Sequence, residues 1–144
     1  KLEATVESPA TVYHPLLALN LFVLIWCSDT FAYLSGKLLG KNKMFEAVSP
    51  GKTWEGFIGG LLLTLGFSFI LAHYFSIPYK VNLVVAFCSV VFGTLGDLVE
   101  SMLKREFKIK DSGNILPGHG GILDRFDALL ISLPFTAMCY YLLL

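Results

Sequence analysis

Five carboxylates stand at the ends of long apolar blocks in this chain: Asp29, Asp97, Glu100, Asp124 and Asp127. Asp97, Glu100, Ser101 and Lys104 fall at i, i+3, i+4 and i+7, which is one face of a helix. Asp124 and Asp127 are likewise three apart. Between these two groups, the stretch Ser101–Asp127 reads SMLKREFKIKDSGNILPGHGGILDRFD, with Lys104, Arg105, Lys108, Lys110, Asp111 and Arg125, and with Gly118, Gly120 and Gly121 around a single histidine, His119. Two acidic faces that meet could hold a divalent cation, and oxygen donors without Cys or His clusters favour magnesium. The basic residues beside them suit an anion with several phosphates, bound by charge-assisted hydrogen bonds. The glycines would let backbone N–H groups approach those phosphates closely.

The elements that must position these residues are membrane spans. The chain has 144 residues, of which 55% are hydrophobic and 15% charged, and its mean hydropathy is +0.67. Soluble domains lie near about 45–50% apolar and about 25% charged. The apolar residues come in long blocks, so the fold class is an all-α integral membrane protein of about four transmembrane helices. The expected spans are residues 15–35, 54–76, 81–103 and 124–144, with Pro134 kinking the fourth. Residues 1–14 read as a polar lead-in, and 36–53 and 104–123 as loops. A formal net charge of zero offers nothing that points to nucleic acid. Cys27, Cys88 and Cys139 lie inside apolar blocks without a CxxC pair, which indicates neither a disulfide framework nor a zinc site. The first residue is Lys1 and no signal-peptide pattern precedes the first apolar block, so a fragment of a longer chain is expected.

Four spans put both loops on one side. Lys37, Lys41, Lys43, Lys52, Lys104, Arg105, Lys108, Lys110 and Arg125 would lie there, against Lys1 and Lys80 opposite. By the positive-inside rule that face is cytoplasmic. Asp29, Asp97, Glu100, Asp124 and Asp127 then share one depth, and the two loops form a site at the membrane surface.

Plainer readings exist for each residue. Asp124 could N-cap the fourth span with Asp127 at N3. Asp97 could form a structural ion pair with Lys104 or Arg105, the lysines could only enforce topology, and a lone loop histidine such as His119 is more often a hydrogen-bonder than a catalyst. The Gly-Lys-Thr in SPGKTWEG is not a Walker A loop, because no glycine stands at the position its first glycine needs (Glu46 and Ala47 occupy that stretch) and no strand is expected before it. There Thr53 is expected to cap the second span, with Ser49 and Lys52 facing the site and Trp54 as an interfacial anchor.

Taken together, Ser101, Lys104-Arg105, Lys110-Asp111, Pro117-Gly118-His119-Gly120-Gly121 and Asp124-Arg125-Phe126-Asp127 resemble the signature of the phosphatidate cytidylyltransferase (CDP-diacylglycerol synthase) family. SPGKTWEGFIGG at 49–60 resembles a second family motif, and Ser28-Asp29-Thr30 with Ala32-Tyr33 a third. The resemblance spans essentially the whole chain and makes residues 1–144 the C-terminal catalytic membrane region, because family members carry further N-terminal spans. It implies transfer of the cytidylyl group of CTP to phosphatidate with magnesium, giving CDP-diacylglycerol and pyrophosphate. Asp97 and Asp124, supported by Asp127, would be the metal ligands. Lys104, Arg105 and Arg125 would neutralise phosphates. Asp29, Ser49, Lys52, Ser101, Lys110, Asp111 and the Gly118–Gly121 loop with His119 would lie around the substrates. It also implies a homodimer; a bacterial inner membrane is expected from the compact spans and loops.

Two rivals follow from the same residues. A CTP-dependent polyprenol or phytol kinase would use similar acids and bases to phosphorylate a lipid alcohol. An ion-coupled transporter would bind its cation at Asp29, Asp97 and Glu100, but such sites sit near the bilayer midplane. The acids here stand toward one surface, beside basic loops.

Overall fold

A computed structural model describes residues 15–109 and 123–143, the last segment with side chains from Phe126 onward. The chain runs α1 (Pro15–Leu39), β1 (Lys43–Phe45), β2 (Ser49–Thr53), α2 (Trp54–Phe75), α3 (Tyr79–Glu106) and α4 (Leu123–Leu143). All four helices are long and apolar enough to cross a membrane. The 28 residues of α3 make a helix of about 42 Å at about 1.5 Å per residue, longer than a ~30 Å hydrocarbon core. Its end therefore carries Lys104 and Arg105 beyond the apolar layer. Large apolar side chains such as Leu62, Ile70 and Leu142 are exposed, the pattern of helices whose solvent is lipid. Pro134, where a kink is expected, lies inside α4, and the helix continues through it.

Lipid tails are as apolar as leucine, so close packing and hydrogen bonds hold such helices together. Between α1 and α2 the seam is made of small residues: Ala32 and Gly36 face Gly60 and Gly56, each pair at i, i+4 spacing, and Gly40 beyond α1 abuts Thr53. A Cβ at Gly60 would sit 2.8 Å from the Ala32 Cβ, and one at Gly56 would sit 2.8 Å from the Ala32 carbonyl oxygen. Only glycine lets the two backbones approach this far. Toward the opposite end, Asn20 of α1 donates to the Asn82 side-chain oxygen of α3 at 2.7 Å and to the Tyr140 hydroxyl of α4 at 2.8 Å. Asn82 in turn donates to the Ser68 carbonyl of α2 at 2.7 Å. This node ties all four helices with fully buried amides, beside a core of Leu24, Leu71, Val81 and Val85.

The expected loop at 36–53 is more ordered than its composition suggests. Helix α1 continues to Leu39, and the rest folds into an antiparallel hairpin with Lys43 opposite Thr53, Phe45 opposite Ser49, and an irregularity between them. Its neck is stitched to the start of α2. The Glu55 carboxylate accepts the backbone N–H groups of Lys41 at 3.2 Å and Asn42 at 3.1 Å, and the Asn42 side-chain amide at 2.8 Å. Trp54 donates its N–H back to the Asn42 carbonyl at 3.0 Å. Thr53 caps α2 as expected, its hydroxyl accepting the Gly56 N–H at 3.1 Å. At the far end α2 closes on Ser76 in the left-handed conformation, and Ile77 donates to the Ala72 carbonyl at 2.9 Å. The bundle is clamped at that end, and at the other the hairpin lies across it.

Candidate active site under the hairpin

At the hairpin end, α1, α2, α3 and the hairpin enclose a cavity of about 460 Å³. Asp29 enters it from α1, Ser49 and Lys52 from β2, and Thr94 and Asp97 from α3. Four of the residues singled out in sequence, Asp29, Ser49, Lys52 and Asp97, thus converge although they come from three separate stretches.

Asp97 is the hub of the charges. Its Oδ2 pairs with Lys52 Nζ at 2.5 Å, and its Oδ1 accepts the Ser101 hydroxyl at 3.3 Å. Lys52 also reaches the Thr94 carbonyl at 3.4 Å, one turn earlier on α3. A sequence-local ion pair between Asp97 and Lys104 or Arg105 is not what forms. Lys104 instead pairs with Glu100 at 3.4 Å, and Glu100 is buried away from the cavity lining. Arg105 turns back to the hairpin, its Nε donating to the Val48 carbonyl at 3.5 Å. The second half of α3 therefore holds the hairpin at two points, through Lys52 and through Arg105.

Asp127 is brought up by a close helix crossing. A Cβ at Gly96 would lie 2.7 Å from the Asp127 carbonyl oxygen and 3.2 Å from the Ala128 Cα. Helix α4 thus packs Asp127 against the residue preceding Asp97. Carboxylates from α1, α3 and α4 and one lysine are thus gathered at this end of the bundle. Among the described residues no three His, Cys, Asp or Glu side chains are close enough together to hold a metal ion. The chemistry of the donor set, carboxylate oxygens only, fits a hard cation such as magnesium. Of the expected ligands, Asp97 and Asp127 are described here, while Asp124 and Arg125 lie in α4 with side chains outside the described residues. Lys110, Asp111, Gly118, His119, Gly120 and Gly121 fall outside the described residues altogether.

The cavity also has walls that sequence reading did not assign to the site: Tyr33 and Lys37 on α1, Met44 on β1, Phe57 on α2 and Thr94 on α3. A signal was present for the first two. Asp29, Tyr33 and Lys37 follow one another at i, i+4 and i+8, which stacks them on a single helix face.

The chain is similar in sequence to known proteins of one family. A sequence profile of the cytidylyltransferase family matches residues 8–143. The phosphatidate cytidylyltransferase of Bacillus subtilis (strain 168) is 53% identical over 123 residues, which cover 84% of this chain and 45% of that protein. The phosphatidate cytidylyltransferase of Haemophilus influenzae (strain Rd) is 43% identical over 139 residues, 92% of this chain and 48% of that protein. That of Staphylococcus haemolyticus is 50% identical over 115 residues, 78% of this chain and 44% of that protein. The chain spans about half the length of these relatives.

Proposed function

We propose, from the premise that this chain belongs to the cytidylyltransferase family, that it forms the catalytic membrane region of an enzyme transferring the cytidylyl group of CTP to phosphatidate. The observation that carries this reading is the convergence of Asp29, Ser49, Lys52 and Asp97 on one cavity at the end of a membrane bundle. A diacyl lipid and a water-soluble nucleotide can meet only at such a boundary. The lipid's tails stay among acyl chains while its phosphate reaches the charged cavity.

The reaction needs little from the protein beyond position and charge. A phosphate oxygen of the lipid attacks the α-phosphorus of CTP, a P–O–P bond forms, and the bond to the β-phosphate breaks with pyrophosphate leaving. The nucleophile is already anionic, so no strong base is required, and the rate comes from alignment and electrostatic stabilisation. In this proposal Asp97 and Asp124, supported by Asp127, would hold magnesium by resemblance to the family, and the ion would neutralise phosphate charge. Ser101 keeps Asp97 oriented through its hydrogen bond. Lys52, already 2.5 Å from Asp97, lies where it can pass from that carboxylate to an incoming phosphate. Arg105 fixes the hairpin turn over the cavity, and Lys104 and Arg125 add positive charge beside the phosphates. Ser49, Asp29 and the 110–121 stretch, with Lys110, Asp111, His119 and the glycines, complete the substrate contacts.

The face bearing the cavity is read as cytoplasmic on the nine-to-two bias of Lys and Arg, and the membrane as the bacterial inner membrane in keeping with the bacterial origin of similar chains. The homodimer implied by the resemblance belongs to the same proposal and is testable by in-membrane cross-linking. The activity itself is tested by giving the full-length protein CTP labelled at the α- or γ-phosphate, with magnesium and either phosphatidate or a polyprenol. The expected result is α-label in the lipid extract with phosphatidate. Transfer of γ-label to the alcohol would replace this reading with the kinase.

A further inference from the structure

Two lysines line the cavity, Lys37 and Lys52, and their situations differ. Lys52 is committed to Asp97. Lys37 has no carboxylate partner among the described residues; its Nζ lies 5.9 Å from the centroid of the Tyr33 ring, one turn back on α1. A ring face fixes where an ammonium group sits without consuming its N–H donors, which stay available to an anion. The pair also stands among exposed apolar side chains. Tyr33 is 65% exposed, flanked by Leu34 and Leu38 at 45% and 79%, on a helix long and apolar enough to cross a membrane. Tyr33 and Lys37 are therefore at once a wall of the cavity and part of an exposed, largely apolar helix face.

We propose that Lys37, positioned by Tyr33, receives the phosphate monoester of the lipid substrate where the cavity meets the bilayer, and so sets affinity for lipid rather than for nucleotide. The proposal rests on the cytidylyltransferase reading above and assigns one substrate of that site. Both substrates carry phosphate, so the chemistry of the contact is shared; location favours the lipid. A headgroup phosphate tethered by acyl chains can reach a lysine set among exposed apolar side chains of a membrane-length helix, whereas Lys52 is held by Asp97 and the Thr94 carbonyl. A snorkelling lysine beside an interfacial tyrosine would also serve as a mere membrane anchor, and the two roles differ in kinetics.

The test uses the full-length protein in mixed micelles, comparing wild type with Lys37→Met, Lys37→Arg and Tyr33→Leu. Loss of a charge-assisted contact predicts a KM for phosphatidate raised about 10- to 100-fold in Lys37→Met, with the KM for CTP within about twofold of wild type. Lys37→Arg restores most of the lipid affinity, and Tyr33→Leu shifts the same constant in the same direction by less. A raised KM for CTP alone would overturn the proposal by giving Lys37 to the nucleotide, and unchanged constants would leave the pair as an anchor and overturn it too. Equilibrium binding of radiolabelled phosphatidate without CTP separates this inference from the catalytic reading. Preferential binding of phosphatidate over phosphatidylcholine, lost in Lys37→Met, supports it even in a protein that makes no CDP-lipid. No such preference in the wild type would overturn it.

Discussion

Substituting Gly56 by alanine adds one methyl group where the backbones of α1 and α2 pass close together. An alanine Cβ there would lie 2.8 Å from the Ala32 carbonyl oxygen, 2.9 Å from the Thr53 hydroxyl oxygen and 3.0 Å from the Gly36 Cα. Favourable contacts begin at roughly 3.5 Å, so each is short by about half an ångström. Two of the three neighbours are backbone atoms of α1, and the third is the hydroxyl that caps α2. None can rotate away freely, so the helices must separate. Overpacking of this kind costs about 1–3 kcal/mol, offset by the roughly 0.5–1 kcal/mol that alanine gains over glycine in a helix. The net loss is about 1–2 kcal/mol, or about 3–8 °C in Tm. Asp29, Ala32, Tyr33 and Gly36 line the cavity on α1, and Thr53 and Gly56 line it opposite. Displacing one wall by about half an ångström predicts a fall in turnover of about tenfold or more. Gly66 in the same helix is the control, because a Cβ there meets nothing within 4 Å; Gly66→Ala is expected to keep full activity and at least wild-type stability. Thermal unfolding in detergent and initial rates on the full-length protein read both effects. Wild-type stability and turnover in Gly56→Ala would refute the small-residue seam as the element that sets the cavity's shape.

Other expectations follow from the same structure. Lys52→Met removes the 2.5 Å partner of Asp97; because both side chains are partly exposed, the stability change is expected below about 1 kcal/mol while the initial rate falls about 100-fold, and a rate within about twofold of wild type would remove Lys52 from the mechanism. Asn82→Leu breaks the node linking Asn20 and the Ser68 carbonyl, with an expected loss of about 0.6–2 kcal/mol in thermal unfolding and unchanged KM values, since the node lies at the end away from the cavity. Cys88 and Cys139 have sulfurs 3.5 Å apart across α3 and α4, so a membrane-permeant oxidant should form an intramolecular bridge detectable by mass spectrometry, leaving Cys27 as a thiol; failure to bridge would contradict the α3–α4 register.

The four helices were legible because membrane burial writes itself as uninterrupted hydropathy. Their ends were less so: α1 runs on through Gly36–Leu39, where glycine and lysine suggest a loop. The hairpin was not legible at all. Lys43–Phe45 and Ser49–Thr53 show no alternation, and the second contains Ser-Pro-Gly; the fold is imposed by Glu55 gripping the backbone of Lys41 and Asn42. For the same reason Asp97 looked like a partner for basic residues on its own helix, whereas the hairpin delivers Lys52 from 45 residues away in sequence. The convergence of Asp29 and Asp97 at one depth did follow from counting spans and charges. Tyr33 and Lys37 were readable in principle from their spacing to Asp29, but a lysine at a helix end is first explained by topology. The Asn20–Asn82 node was missed because single asparagines in apolar blocks give no hint of one another.

The measurement closest to the central claim is formation of CDP-lipid from α-labelled CTP and phosphatidate by the full-length protein with magnesium, run in parallel on Asp97→Asn. Asp97 ties Lys52 and Ser101 together and is the proposed metal ligand at the cavity. The prediction is robust labelling of the lipid by wild type, and loss of at least about 100-fold in Asp97→Asn with the variant still folded in the membrane. Near-normal labelling by a folded Asp97→Asn protein would contradict the assignment of this cavity as the catalytic site.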